Sequence, residues 1–259
     1  AGSGISPQHS CAAASSARPM NPHREPASGT AIFRSRDLTT SQDNISIRLD
    51  LPQVDSPTAL APPDGPPASD GWATFNVDRF LVERVVRYNK RFGFKSAIET
   101  GTFRGETTVG LAKLFPKVFT IEVNPDFHEA VQPRFRYYGN ITSLLGNSAQ
   151  LLPDILDKTD YPLFAYLDAH WQEHCPLRDE IATLMAVKKP KLIMIHDFKV
   201  PGRDFGYDEY DRRPNNLEYI ADLLNHDECR YAFNHQTDSQ SSDRGVLFIE
   251  HLLDNDRPA

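Results

Sequence analysis

Residues 96–105, Ser-Ala-Ile-Glu-Thr-Gly-Thr-Phe-Arg-Gly, constrain the fold more than any other stretch of this chain. A short apolar run, Ala97-Ile98, ends in an acid, Glu99. Gly101 and Gly105 follow, and Glu106-Thr107-Thr108 opens an apolar-periodic run that reads as a helix. A strand that turns on glycine into a helix brings backbone close to a ligand and presents it with unpaired N–H groups. About twenty residues further on, a second apolar run, Val118-Phe119-Thr120-Ile121, also ends in an acid, Glu122. An acid at that separation is placed to accept from both hydroxyls of a ribose.

The rest of the chain repeats the alternation. Val77, Phe80, Leu81, Val85, Tyr88 and Phe92 recur at helical spacing and predict a helix over 76–92, capped by Gly93. Strands are expected near 95–99, 117–122, 141–145, 162–168 and 191–196, with helices near 105–115, 126–136, 148–157 and 176–187 between them. Such alternation implies an α/β fold with a parallel sheet covered by helices on both faces. A polar loop over 200–214, a helix over 215–225 and two strands, 229–235 and 244–250, complete the domain. The polar run Gln236 to Asp243 joins those two strands.

Phe103 occupies the place of the middle glycine in the dinucleotide fingerprint G-x-G-x-x-G, so the close-approach position for a pyrophosphate is missing. Glu99 would repel a phosphate and welcome an amino group. A cofactor with an ammonium group, a ribose and no phosphate fits, and S-adenosylmethionine is one. The run Glu-Thr-Gly-Thr-Phe-Arg-Gly-Glu-Thr-Thr resembles the class I S-adenosylmethionine-dependent methyltransferases, over about residues 94–250. That resemblance implies a Rossmann-like, doubly wound, seven-stranded sheet, mostly parallel, with a C-terminal antiparallel hairpin. It puts Glu99 and Gly101 at the methionine end and Glu122 on the ribose, and counts Thr102 and Gly105 in the cofactor site. Asn147 and Ser148 would lie beside the adenine, and Asp168 would complete the cofactor site.

Ligands of such sheets sit at the carboxyl ends of the strands. The fourth predicted strand ends Asp168-Ala169-His170-Trp171 and the fifth ends His196-Asp197-Phe198. Asp168, His196 and Asp197 together offer two oxygens and a nitrogen, a set that suits Mg, Mn or a similar divalent ion. His170, with an unperturbed pKa near ~6.5, is the candidate base for a substrate hydroxyl. The pattern is similar to metal-dependent sugar O-methyltransferases of the macrocin and mycinamicin type, which carry Asp-x-Asp and Asp-Asp at these places. By that likeness His170 is the base, and Asp168, His196 and Asp197 are ligands, with His replacing two acids of the pattern. Against these stand plainer roles: Asp168 as a cap, His170 stacked on Trp171, His196-Asp197 anchoring a loop. His174 reads as a solvated loop residue. Glu180, on a helix starting near Pro176, faces either the site or Arg178 and reads as a surface acid. The loop Gly202 to Asp208 suits a lid over an acceptor or a solvated loop, and Arg212-Arg213 a surface pair.

Composition narrows the function classes. The net charge of −7 argues against a broad nucleic-acid footprint. Cys11, Cys175 and Cys229 form neither a disulfide framework nor a C-x-x-C pair, which points to a reducing cytoplasm. No apolar stretch reaches the ~18 residues of a transmembrane helix, and no secretory leader is expected. Residues 1–71, rich in Ser, Pro, Ala and Gly, read as a flexible or extended segment, with Ile45 to Leu49 a short strand or docking stretch. Residues 72–259 form the folded domain. The expected partner is a small-molecule acceptor, a sugar or a secondary metabolite; a homo-oligomer stays open. The alternatives are a binding module for S-adenosylmethionine or S-adenosylhomocysteine without turnover, and a nicotinamide-dependent oxidoreductase, which Phe103 and Glu99 disfavour.

Overall fold

A computed structural model describes residues 74–169, 175–238 and 243–253. Residues 1–71, expected to be a flexible or extended segment, with the stretch Ile45 to Leu49, and His170, Trp171 and His174 lie outside the described residues.

The elements follow from local sequence. Helix α1 (Arg79–Phe92) starts where Asp78 accepts from the backbone of Phe80 at 2.9 Å and of Leu81 at 3.2 Å. It ends at Gly93, whose φ of 63° suits a left-handed cap. Its apolar face buries Leu81, Val85 and Phe92. Strand β1 (Ser96–Thr100) is followed by α2 (Glu106–Leu114), β2 (Val118–Glu122), α3 (Pro125–Phe135) and β3 (Ile141–Leu145). Next come α4 (Ser148–Leu156), β4 (Leu163–Leu167), α5 (Leu177–Ala186) and β5 (Lys191–Ile195). A two-residue hairpin, β6 (Glu209–Tyr210) with β7 (Arg213–Pro214), precedes α6 (Leu217–Ile220). β8 (Cys229–Phe233) and β9 (Leu247–His251) end the described chain.

The sheet has seven strands in the order β3-β2-β1-β4-β5-β9-β8. β1 through β5 pair in parallel, and β9 pairs antiparallel with both β5 and β8. This is the doubly wound, mostly parallel α/β architecture with a C-terminal antiparallel pair. The chain winds outward from β1 in both directions, so the neighbours β1 and β4 mark the switch point where ligands of such sheets bind. Every residue of β1, β2, β4 and β5 is buried, as expected of strands covered on both faces. On β4, Phe164 and Tyr166 join the core under α1 and α2, while Leu163, Ala165 and Leu167 join the core under α4 and α5. Each large side chain so buried stabilises the fold by roughly 1.5–3 kcal/mol.

Three expectations need correcting. The first helix starts at Arg79 rather than residue 76, because Phe75, Asn76 and Val77 hold φ of 52°, 57° and 66° in the left-handed region. Thr74 to Val77 instead form a short turn whose Phe75 is fully buried, edge-on to Tyr166 at 5.1 Å. The helix expected over 215–225 is only Leu217–Ile220 followed by a 3-10 turn, Ala221–Leu223. The polar loop after β5 contains the β6–β7 hairpin, which no apolar alternation announces.

Candidate functional site

A cavity of about 820 Å³ opens at the carboxyl ends of the strands, within the usual range for small-molecule sites. Gly101, directly after β1, lines it with a φ of 85°. A Cβ there would sit 2.4 Å from the backbone oxygen of Asp168, so only glycine lets the turn after β1 cross the end of β4.

Glu122 lines the cavity at the end of β2. Its Oε2 accepts from the Phe103 N–H at 2.8 Å and its Oε1 from the Asn124 N–H at 2.9 Å. Two backbone donors therefore hold the carboxylate in place, and its further lone pairs remain for hydroxyls. Phe103 can serve this way because its φ is 48°, which turns its N–H back to Glu122 while its ring packs edge-on against Phe127 at 4.9 Å. In register, Glu122 pairs with Leu145, so the turn after β3 flanks it. There Gly146, Asn147 and Ser148 line the same cavity, and Asn147 caps α4 by accepting from the Ala149 N–H at 2.9 Å.

Glu99, Thr102 and Gly105 are not among the lining residues. Glu99 is 1% exposed. Its Oε2 accepts from the hydroxyls of Thr108 and, at 2.6 Å, Thr120, and Thr102 shares a hydrogen bond with Thr120. Its Oε1 is buried without a hydrogen-bond partner. Burial, with smaller contributions from Asp168 and Glu122, pushes the Glu99 carboxyl up to about 8. Gly105 has a packing duty: a Cβ there would meet the Phe135 ring at 2.8 Å.

Across the switch point, Asp168 and the His196-Asp197 pair converge. The Tyr166 hydroxyl donates to Asp168 Oδ2 at 2.8 Å. His196 is buried, with Nδ1 at 3.4 Å from Asp168 Oδ1 and 3.1 Å from Asp197 Oδ1. Those separations make charge pairs, and neither ring nitrogen meets the geometry of a hydrogen bond. Burial would lower the imidazole pKa, but the carboxylates of Asp168 and Asp197 outweigh it and raise it to about 10. Asp197 itself has a φ of 53°, strain of the kind that collects at functional sites.

Sequence reasoning missed Arg244. Its Nε donates to Asp197 Oδ1 and its Nη2 to Asp208 Oδ1, so one guanidinium ties the end of β5 to the loop that follows. Arg244 and Asp208 both line the cavity. Backbone bonds Gly206 N–H to Asp243 O at 2.6 Å and Gly245 N–H to Gly206 O at 2.8 Å set this contact. The sequence carried only a faint signal, an arginine just before a terminal strand. The reading of Glu180 as a surface acid also fails: the residue is 1% exposed and accepts from the Ser148 hydroxyl at 2.5 Å. Arg178 pairs instead with Asp222 at 2.6 Å.

Ligand atoms of Asp168, His196 and Asp197 lie within 4.8 Å of one another, close enough to share one ion. By donor type and spacing the set fits a hard divalent cation. An ion there would have to displace the imidazole proton and share Asp197 with Arg244. For a nucleoside cofactor the fit rests on anchored Glu122, the tight Gly101 turn and the unpartnered Oε1 of Glu99.

No family model and no curated protein matches the sequence. Solved structures share the fold. The O-methyltransferase from Bacillus cereus in complex with SAH superposes with a TM-score of 0.53 at 16% identity, over 71% of this chain and 84% of that one. Cofactor-bound Rv0187 from MTB gives a TM-score of 0.51 at 14% identity, over 69% of this chain and 82% of that one. These superpositions show the fold: a Rossmann-like, doubly wound sheet.

Proposed function

We propose that this protein is an S-adenosylmethionine-dependent methyltransferase acting on a hydroxyl oxygen of a small molecule, with a sugar or secondary metabolite as acceptor. The observation that carries the reading is Glu122, fixed by two backbone N–H groups at the end of β2 and lining the cavity beside the β1–β4 switch point. The Bacillus cereus neighbour, an O-methyltransferase with SAH, supports it through the fold.

When bound, S-adenosylmethionine supplies an electrophilic methyl group on a sulfonium. In this reading Glu122 holds the ribose hydroxyls, and Glu99 answers the ammonium from beneath the Gly101 turn. Gly101, Thr102 and Gly105 shape that turn, and Asn147 and Ser148 face the base. Asp168 lies on the cofactor side of the acceptor. His170, the second residue after Asp168 in the chain, would accept the acceptor's hydroxyl proton on a ring nitrogen. Asp168, His196 and Asp197 would hold a divalent ion, whose charge would make the acceptor hydroxyl more acidic. Alignment of acceptor and donor is the larger contribution the protein makes.

Calorimetric titration of the purified protein with S-adenosylhomocysteine and with NADH tests the reading. Heat with the first and none with the second is expected. A well-folded sample that binds NADH, or neither compound, sinks it.

A further inference from the structure

The buried carboxylate of Glu180 takes no part in the chemistry above, yet it stands directly behind the cavity wall. Glu180 lies in the first turns of α5, its N–H donating to Pro176 O at 3.0 Å, and Pro176 lines the cavity. Ser148, at the start of α4, is 5% exposed, lines the cavity, and donates its hydroxyl proton to Glu180 Oε1 at 2.5 Å. A serine hydroxyl has one proton and two lone pairs. With the proton committed to Glu180, Ser148 has only acceptor capacity left for a ligand.

Strand order says which part of a nucleoside meets that wall. Glu122 closes β2, with β3 on one side and β1 on the other. Asp168 and Asp197 follow β4 and β5, beyond β1. A nucleoside with its ribose on Glu122 and its reacting substituent toward Asp168 must extend its base the other way, over the turn after β3. Gly146, Asn147 and Ser148 line the cavity there. We propose that Glu180 sets the polarity of the Ser148 hydroxyl, so that the base end of the cavity accepts a hydrogen bond from an exocyclic amino group and selects adenine over hypoxanthine. The inference rests on the S-adenosylmethionine reading. Glu180 is then a positioning residue, acting through Ser148, and its accepting Oε1 keeps the hydroxyl proton turned away from the cavity. Hypoxanthine presents a carbonyl oxygen in place of the amino group, and two acceptors would face each other across a desolvated gap, which neither can relieve.

The test compares S-adenosylhomocysteine with S-inosylhomocysteine, in which a carbonyl oxygen replaces the amino group and N1 carries a proton, by calorimetry on the full chain. The Ser148 variant isolates the share of the preference that passes through the hydroxyl. The parent protein is expected to bind the adenosyl compound roughly tenfold or more tightly. Ser148→Ala should bring the ratio close to one. Glu180→Gln weakens the acceptor: an amide NH2 against Ser148 frees the hydroxyl proton toward the cavity, and an amide oxygen there holds it less firmly than a carboxylate, so the ratio should shrink. A simple staple between α4 and α5 would instead lower the melting temperature and both affinities together, leaving the ratio unchanged; that result overturns the proposal. If Glu180→Gln does not fold, an unchanged ratio in Ser148→Ala is decisive against it. Equal binding of both compounds by the parent also overturns it, while no binding of either removes the methyltransferase reading on which it stands.

Discussion

In the proposed reading, Glu122 is the residue on which cofactor binding turns. Its two oxygens already accept backbone N–H groups from Phe103 and Asn124, so the carboxylate is oriented before any ligand arrives. Glu122→Gln replaces one acceptor oxygen by a donor. It is expected to weaken S-adenosylhomocysteine binding by roughly 10–100-fold, as a mismatched polar group costs about 1–3 kcal/mol. Calorimetry on Glu122→Gln that returned the parent affinity would take the ribose off this residue. His170 carries a different expectation. His170→Ala should leave cofactor affinity within experimental error of the parent and slow turnover by roughly 10²–10⁴-fold, the usual contribution of a general base. Undiminished turnover in that variant would remove His170 from proton transfer. Chelator belongs with this measurement: activity that survives it rules out a required ion at Asp168, His196 and Asp197 without touching the cofactor reading.

At the scale of elements, the left-handed turn Thr74–Val77 docks onto α2 through a glycine. Gly110 lies inside α2, where an alanine would ordinarily favour the helix by about 1 kcal/mol. Here a Cβ would sit 1.8 Å from Thr74 Oγ1 and 2.6 Å from its Cγ2, inside contact distance of a side chain that is itself buried. The gain in helix propensity should lose to this clash. Gly110→Ala is expected to destabilise the protein by roughly 1–3 kcal/mol, the cost of overpacking a core, read as a lower urea midpoint. A raised midpoint would show that the turn does not pack as described. Because Asn76 in this turn lines the cavity, the same variant should also weaken S-adenosylhomocysteine binding.

For the molecule as a whole, the two ends of the sheet have opposite tasks. The carboxyl ends hold the cavity. At the other end Lys191 is fully buried, and its ammonium donates to Val187 O at 2.6 Å and Lys189 O at 2.7 Å and contacts His251 Nδ1 at 2.7 Å. Burial lowers its pKa from 10.5 to about 8. Between those values the unfolded chain binds the proton and the folded one does not, so stability from this group rises with pH from about 8 to 10.5. Subtracting the pH profile of Lys191→Met from that of the parent should isolate such a rise. A flat difference across that window would mean that Lys191 keeps an ordinary pKa in the fold. No helix among the described residues is long and apolar enough to cross a membrane.

Local sequence was enough for the parallel core and for the ends of β1 and β2, because fully buried strands read as apolar runs and their glycine turns are written in neighbouring residues. The places of Glu99, Gly101 and Glu122 at the ends of those strands could be read that way. Asp168, His196 and Asp197 were also legible, since a polar cluster directly after a strand stands out. Contacts between distant segments were not. Arg244 reaches Asp197 and Asp208 only because β9 folds back antiparallel beside β5, and Glu180 reaches Ser148 only because α4 and α5 pack together. Periodicity ranks a residue by its own element. Whether a carboxylate faces water or a hydroxyl behind a cavity wall depends on what another element brings to it, and that was decided by the tertiary structure alone.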